Sequence, residues 1–460
     1  MSLSFIVLLV LGLGFVGWLS AKARAAAFAG PDRRRPHSLP GYHGWYVALW
    51  AVIPALLFLA FWAFLSERMI ADTVLSSPQA AALPNVDMQR AAILAEARGL
   101  AAGDVASARH ASASALAPVY AGAISFYNWL GLGIALLIAF AGGAWSWSRL
   151  SPAFRARTRV ERMVMALLLT ASLIAILTTL GIFLSLLFET VRFFSQVSPV
   201  EFLTGTSWSP QTAIRPDQAG SSGAFGAVPL FWGTIFIGAI IAMIVAIPLG
   251  LMSAIYLTQY ARPKVRAWMK PILEILAGVP TVVYGYFAAL TVAPAIRDLG
   301  LTLGFHASTE SALAAGLVMG VMIIPFVSSM ADDSIAAVPQ AMRDGSLAMG
   351  ATRSETIKRV LVPAALPGVV GGVLLAVSRA IGETMIVVMA AGLAANLTAN
   401  PFASVTTVTT QIVQLLTGDQ EFDSPKTLAA FALGMVLFLV TLALNVVALR
   451  VVKKYREAYE

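Results

Sequence analysis

The sequence contains no cysteine and only four histidines among its 460 residues. The first absence excludes disulfides, thiolate metal sites and cysteine nucleophiles together. The histidines, His37, His43, His110 and His306, are scattered, which argues against a metal centre. Neither a His-Glu-x-x-His run nor a Gly-x4-Gly-Lys-Ser/Thr phosphate loop occurs anywhere, so the signatures of a zinc hydrolase and of an ATPase are both missing. Charge is scarce as well. Asp, Glu, Lys and Arg make up 12% of the chain, about half the share of an ordinary soluble domain, while hydrophobic residues make up 58%. No soluble globule has interior enough for that share, so lipid is the solvent for much of the surface.

A helix needs about 20 apolar residues to cross a bilayer. Nine windows meet that need: 3–19, 45–65, 119–145, 163–188, 229–257, 271–296, 311–330, 364–393 and 427–449. The net charge of +8 then reads as a topology signal rather than as a nucleic-acid footprint. With the N-terminus outside and the C-terminus in the cytoplasm, 22 of the 31 basic residues fall on inner segments, including Lys22, Arg24, Arg33 to Arg35, Arg266, Lys270, Arg343 and Lys453. Eight, among them Arg109, Arg215 and Arg297, fall outside, and one, Arg379, falls within a span. Positive charge follows the first apolar run instead of preceding it, which favours a retained anchor over a cleaved signal peptide. Gly12, Gly14 and Gly17 in that run match the dinucleotide fingerprint literally, yet no strand precedes them, and close helix packing explains them better.

Two long segments are expected outside the membrane. Residues 66–118 are Ala-rich with mixed charge, including Glu96 and Asp104, and Ile93, Leu94, Ala97 and Leu100 mark a helical stripe, predicting a small helical lobe. Residues 189–228 carry Ser, Gly, Pro and aromatics, predicting an irregular loop near the interface that anchors there, meets a partner or caps a pathway. The basic stretch 149–162 separates three spans from six, so the chain divides into an extension, 1–162, and a six-helix core, 163–460.

Residues 331–363 form the most informative cytoplasmic segment. Pro339 suits a first helical turn, Gly350 a left-handed stop, Thr352 to Glu355 a capping box, and Pro363 an end at the membrane. A helix, a glycine corner and a second helix make a knob suited to another protein's groove. The second informative segment is the eighth span, where Ser378, Arg379, Gly382, Glu383 and Thr384 interrupt an apolar run. A charge at mid-helix costs about 3 kcal/mol. The spacing of four puts Arg379 and Glu383 on one helical face, where they can neutralise each other or lock two helices. Alternatively, the guanidinium lends its donors to an oxyanion while Glu383 positions it or repels the ion. Thr281 and Tyr284 follow Pro280, expected to kink the sixth span, and Asn396 and Gln411 are expected to face water.

These motifs carry a resemblance. Asp344-Gly345-Ser346, Gly350, Val360 and Pro363 resemble the "EAA" loop of binding-protein-dependent ABC importer permeases, with Asp in place of Glu and Gly-Ser in place of an Ala pair. The run from Arg379 to Thr384, continuing through Met385 to Gly392, is similar to the membrane subunits of phosphate importers, and more to PstC-like than to PstA-like chains. Residues 201–208, 225–234 and 453–455 extend that likeness over about 163–460.

The resemblance implies an all-α polytopic membrane protein with a six-helix MetI-like permease core and about three extra N-terminal spans. It implies no enzymatic activity and no cofactor bound by this chain, with ATP used by a partner. Those partners would be a PstA-like homologous subunit, two PstB-like ATPases docking at Asp344, Gly345, Ser346, Gly350 and Pro363, and an external PstS-like binding protein. The substrate would be inorganic phosphate passing Ser378, Arg379, Glu383, Thr384 and Tyr284, in a bacterial inner membrane and without nucleic acid. A permease for sulfate or molybdate, and a membrane regulator or scaffold, are the competing expectations.

Overall fold

The computed structural model describes residues 3–28, 37–84, 86–103, 107–211, 223–304, 307–417 and 423–456. Arg33 to Arg35, Asp104, Arg215 and His306 lie outside the described residues. The chain forms two compact units, Met1–Leu177 and Thr178–Glu460. Their division falls inside one long helix.

The first unit holds α1 (Leu3–Ala26), α2 (Pro40–Leu75), α3 (Asp87–Ala102), α4 (Ala111–Ser148) and the start of α5 (Ala156–Phe194). Gly14 and Gly17 of α1 face Val52 and Val47 of α2 so closely that a Cβ on Gly17 would sit 3.2 Å from Val47. Gly14 and Gly17 are therefore a packing seam, while a Cβ on Gly12 would meet nothing within 4 Å. α2 and α4 run well beyond the length a bilayer needs, and α3 packs on their extensions. Val74, Ile93, Ala97, Ala113, Leu116 and Tyr120 form a small buried core there, which places the predicted stripe of α3 inward. Glu96 ties the lobe shut: its carboxylate accepts the backbone N–H of Arg109 and that of His110, and meets His110 Nδ1 at 2.7 Å. The hydrogen bond from His110, followed by that from Arg109, holds the Glu96 carboxyl below the usual range.

In the second unit, α6 (Pro199–Thr204) and a two-residue ladder, β1 (Trp208–Ser209) against β2 (Ala224–Phe225), precede α7 (Val228–Tyr260). Then come α8 (Pro263–Ala277), α9 (Thr281–Thr302), α10 (Ala312–Ala336), α11 (Gln340–Ala348), α12 (Arg353–Ile381), α13 (Met385–Ala390), α14 (Val408–Leu416) and α15 (Pro425–Arg456). Ile237, Met319, Ile323, Ile386 and Val387 centre its largest core, with α10 in the middle. Small residues let α7 and α10 touch: a Cβ on Gly320 would lie 2.9 Å from the Ala242 carbonyl oxygen, and one on Gly250 2.8 Å from Val327.

Among the described residues eight helices are long and apolar enough to span a membrane, and α8 with α9 makes a ninth only if the bent pair counts as one. The kink expected at Pro280 within 271–296 is present, as an 84° bend between α8 and α9. Its cause is Gly278-Val279-Pro280: Pro280 supplies no N–H and holds the preceding residue out of the helical region. The expected span 364–393 is corrected, because α12 stops at Ile381 and the chain restarts as α13. The aromatics of 189–228 are not interfacial anchors. Phe193, Phe202, Trp208 and Phe225 are buried with Leu230, Leu415 and Leu428 in a second core. Burying them there removes more apolar area from water than lying along an interface would. Gln411 does not face water either; it is 5% exposed, accepts from Trp208 Nε1 at 2.9 Å and donates to Thr406 Oγ1 at 3.1 Å. Asn396 is exposed and donates to the Ser404 carbonyl.

Candidate functional site

Two places in the second unit concentrate polar chemistry. The first is the corner between α10 and α12. Pro339 caps α11 rather than entering its first turn, and no residue of α11 is buried. Asp344 and Gly345 are exposed, while Ser346 bonds Thr356 Oγ1 at 3.0 Å, pinning α11 to the next helix. Gly350, at φ 87°, turns the chain with its N–H on the Leu347 carbonyl at 3.0 Å, and Ala351 N–H reaches Ser346 at 3.2 Å. Thr352 and Glu355 then form a full capping box: Thr352 N–H donates to Glu355 Oε2 at 2.9 Å and Glu355 N–H to Thr352 Oγ1 at 3.3 Å. Met349 stands 89% exposed at the tip.

Pro363 does not end this second helix, as its position in the sequence suggested. Residues 357–361 widen into a turn closed by Val362 N–H on the Ile357 carbonyl, five residues back. A widened turn relieves the clash a proline ring makes with the carbonyl four residues earlier, and Pro363 has no N–H to leave unpaired. The corner therefore runs without interruption into the membrane-length helix α12.

The second place is the far end of α12. Ser378 is buried, Arg379 is exposed, and the helix breaks at Gly382. The predicted Arg379–Glu383 pair is not formed. The break destroys the one-turn relation that would align the two side chains. Glu383 Oε1 instead accepts the Met385 N–H at 3.1 Å, the Glu383 carbonyl accepts from Thr409 Oγ1 at 2.8 Å, and Thr384 Oγ1 approaches the Gly382 carbonyl at 3.4 Å. Glu383 is thus bound to the break itself. Arg379 turns the other way, its guanidinium 5.6 Å from the Phe326 ring centre. Tyr284 donates to the Leu276 carbonyl at 2.9 Å across the α8–α9 bend, and α9 lies close to α13 at Gly285 and Met385.

Arg379 opens into a cavity of about 230 Å³ whose walls include Arg266, Lys270, Glu274, Phe326 and Asp332. Sequence reasoning treated Arg266 and Lys270 only as orienting charges and did not single out Asp332. The available signals were the four-residue spacing of the two cations on α8 and an acid near the end of an apolar span.

A membrane-embedded bundle with an exposed helical corner, and with no nucleotide loop in its sequence, has the make-up of the membrane component of a transport system. Residues 246–457 match the family model "Binding-protein-dependent transport system inner membrane component", and residues 6–178 match one described as "Phosphate ATP-binding cassette transporter". The chain is 33% identical over 245 residues to a probable ABC transporter permease protein, YqgH, of Bacillus subtilis, covering 53% of this chain and 75% of that one. It is 31% identical over 284 residues to the phosphate transport system permease protein PstC 1 of Mycobacterium tuberculosis, covering 56% and 83%. A probable PstC of Methanocaldococcus jannaschii is 31% identical over 245 residues, covering 51% and 77%. Two inward-facing structures of the MetNI methionine ABC transporter align with 48% and 50% of this chain and 93% and 95% of theirs, at 19% and 17% identity and TM-scores of 0.35 and 0.37. The chain belongs to the PstC family of ABC transporter permeases, as a multi-pass membrane protein carrying an N-terminal extension.

Proposed function

We propose that this chain is the permease subunit through which an ATP-driven, binding-protein-dependent importer carries inorganic phosphate across a bacterial inner membrane. The observation that carries the reading is Arg379, a cation without a carboxylate partner among the described residues, placed at a broken membrane helix in a chain whose relatives are named phosphate permeases. A planar guanidinium suits a tetrahedral oxyanion, and a short-lived contact allows release. Ser378, Thr384 and Tyr284 flank the pathway. Glu383 shapes it by stabilising the break rather than by neutralising the arginine. The names of the relatives favour phosphate over sulfate or molybdate, and transport over a scaffold role.

On this reading a PstA-like subunit completes the pathway, a PstS-like protein delivers phosphate outside, and two PstB-like subunits hydrolyse ATP. Asp344, Gly345, Ser346, Gly350 and Pro363 transmit their closure, with the N-terminus outside and the C-terminus in the cytoplasm. Residues 1–162 form an accessory extension, and 163–460 carry transport.

The test is ATP-dependent phosphate uptake into vesicles holding the chain with these partners. Arg379→Gln is expected to cut uptake about 10- to 100-fold, the worth of a hydrogen bond to a charged group, while the complex still assembles. Near-normal phosphate uptake by Arg379→Gln would reduce that residue to a structural role, and equal wild-type uptake of sulfate would remove phosphate as the specific substrate.

A further inference from the structure

The cavity beside Arg379 contains an ion-pair arrangement that the pathway described above does not use. Arg266 Nη2 donates to both carboxylate oxygens of Asp332, at 3.0 and 3.2 Å, and Lys270 Nζ donates to Oδ2 at 2.8 Å. Asp332 is 6% exposed, whereas both cations are half-exposed toward the cavity. One buried carboxylate therefore answers two cations. Arg379, a third cation on the same wall, has no carboxylate partner among the described residues. Glu274 is exposed, so the wall carries three positive charges against two negative ones and has room for one more anion.

Size narrows the occupant. At about 230 Å³ the cavity is below the roughly 300–1,000 Å³ of clefts that take drug-sized solutes, and it fits a small ion with part of its water. Two guanidinium groups and an ammonium suit a tetrahedral oxyanion such as phosphate, because they supply bidentate donors together with a point charge. The location is informative too. Asp332 stands four residues before the end of α10, and α10 leads directly into the exposed corner at α11. A movement at the corner acts on the spacing between Asp332 and the cations of α8.

We propose that this cavity is a release station for the transported phosphate, in which Arg266, Lys270 and Arg379 hold the ion and Asp332 competes with it for the same two α8 cations. This rests on the phosphate-import reading and adds to it the residues of a second anion site and the device that empties it. In the structure the Asp332 carboxylate engages both cations. Separation of α8 from α10 frees Arg266 and Lys270 for phosphate, and their return to Asp332 expels it. A carboxylate tethered beside the site needs no diffusion to compete, so a weakly held ion leaves fast.

The experiment is equilibrium binding of radiolabelled inorganic phosphate to the assembled, nucleotide-free complex without binding protein, in phosphatidylcholine nanodiscs. Asp332→Asn keeps the size and removes the competing charge. It is expected to raise phosphate retention by about tenfold or more, the effect of one hydrogen bond to a charged group, and to slow uptake. Adding Lys270→Gln and Arg266→Gln is expected to abolish that gain. An assembled Asp332→Asn complex that retains no more phosphate than wild type, with wild-type uptake intact, overturns the release station and leaves the import reading standing. Failure of wild-type phosphate uptake, together with sulfate retention by Asp332→Asn, overturns the import reading and leaves the anion cavity standing.

A gain that disappears when phosphatidylglycerol is added to the disc, with the lipid crosslinking to Lys270, assigns the phosphate group to a lipid headgroup and overturns the release station. If Asp332→Asn does not assemble, Lys270→Gln decides alone. A several-fold fall in maximal uptake supports the station, and unchanged uptake overturns it.

Discussion

Gly350 offers a perturbation whose effect comes almost entirely from one torsion angle. Its φ of 87° lies in the left-handed region, and a Cβ built on it meets nothing within 4 Å. Substitution therefore costs backbone energy rather than a collision. An L residue pays about 1–2 kcal/mol for that conformation, with β-branched residues at the upper end and Asn, which tolerates it, at the lower. At 1.4 kcal/mol per decade, Gly350→Val is expected to reduce the closed corner about 30-fold and Gly350→Asn about 5-fold, with Gly350→Ala between.

Hydrogen exchange reads the effect directly through Ala351 N–H, whose bond to Ser346 closes the corner. The fraction of ATPase retained on the purified complex reads its consequence. Equal losses for Val and Asn would mean that side-chain bulk against a partner, and not the torsion, governs the position. A Val variant exchanging as slowly as wild type would refute the torsional argument outright.

Three further outcomes test other parts of the molecule. Gln411→Leu is expected to destabilise the aromatic core by about 1–3 kcal/mol, because it strands the buried Trp208 Nε1–H; tryptophan-monitored thermal unfolding measures it, and Trp208→Phe added to it should recover part of the loss. Glu96 has a folded-state pKa below its ordinary value, so its contribution to the lobe is complete above about pH 4.3 and fades as the pH falls through the lower folded value. Amide protection of α3 should be flat from neutral pH to about pH 5 and drop in acid, while Glu96→Gln should show less protection at neutral pH and little change on acidification. Arg379→Phe, which keeps bulk at the cavity wall and deletes charge, should lose phosphate uptake as fully as Arg379→Gln; restored uptake would show that volume alone is needed there.

The spans were legible because an apolar run of the right length has few other uses, and the lobe's stripe because its spacing is helical. The glycine corner and the capping box were legible because each is a local rule satisfied within four residues. What escaped the sequence depended on neighbours distant in the chain. Gln411 is polar and near a predicted outer face, and nothing local announces that Trp208, some two hundred residues away, needs its oxygen. The Arg379–Glu383 pairing assumed one unbroken helix, and Gly382 ended it. Pro363 resembles a stop in the sequence because the widened turn ahead of it depends on the whole helix continuing. Nothing local marks Asp332, because its two partners sit on α8, more than sixty residues earlier.

The continuous helix from Arg353 to Ile381 has a mechanical consequence. Arg379 stands twenty-six residues beyond Arg353, the first residue of the helix, a rod of about 39 Å at 1.5 Å per residue. Such a rod has a phase as well as a length, since each residue turns it by about 100°. The widened turn at 357–361 adds a residue to one turn and so sets the angle at which Arg379 faces its cavity relative to the corner below. The two ends are thereby geared: a small twist imposed at the corner arrives at the arginine as a change of heading rather than of distance, and an anion held by a directional fork is sensitive to heading first.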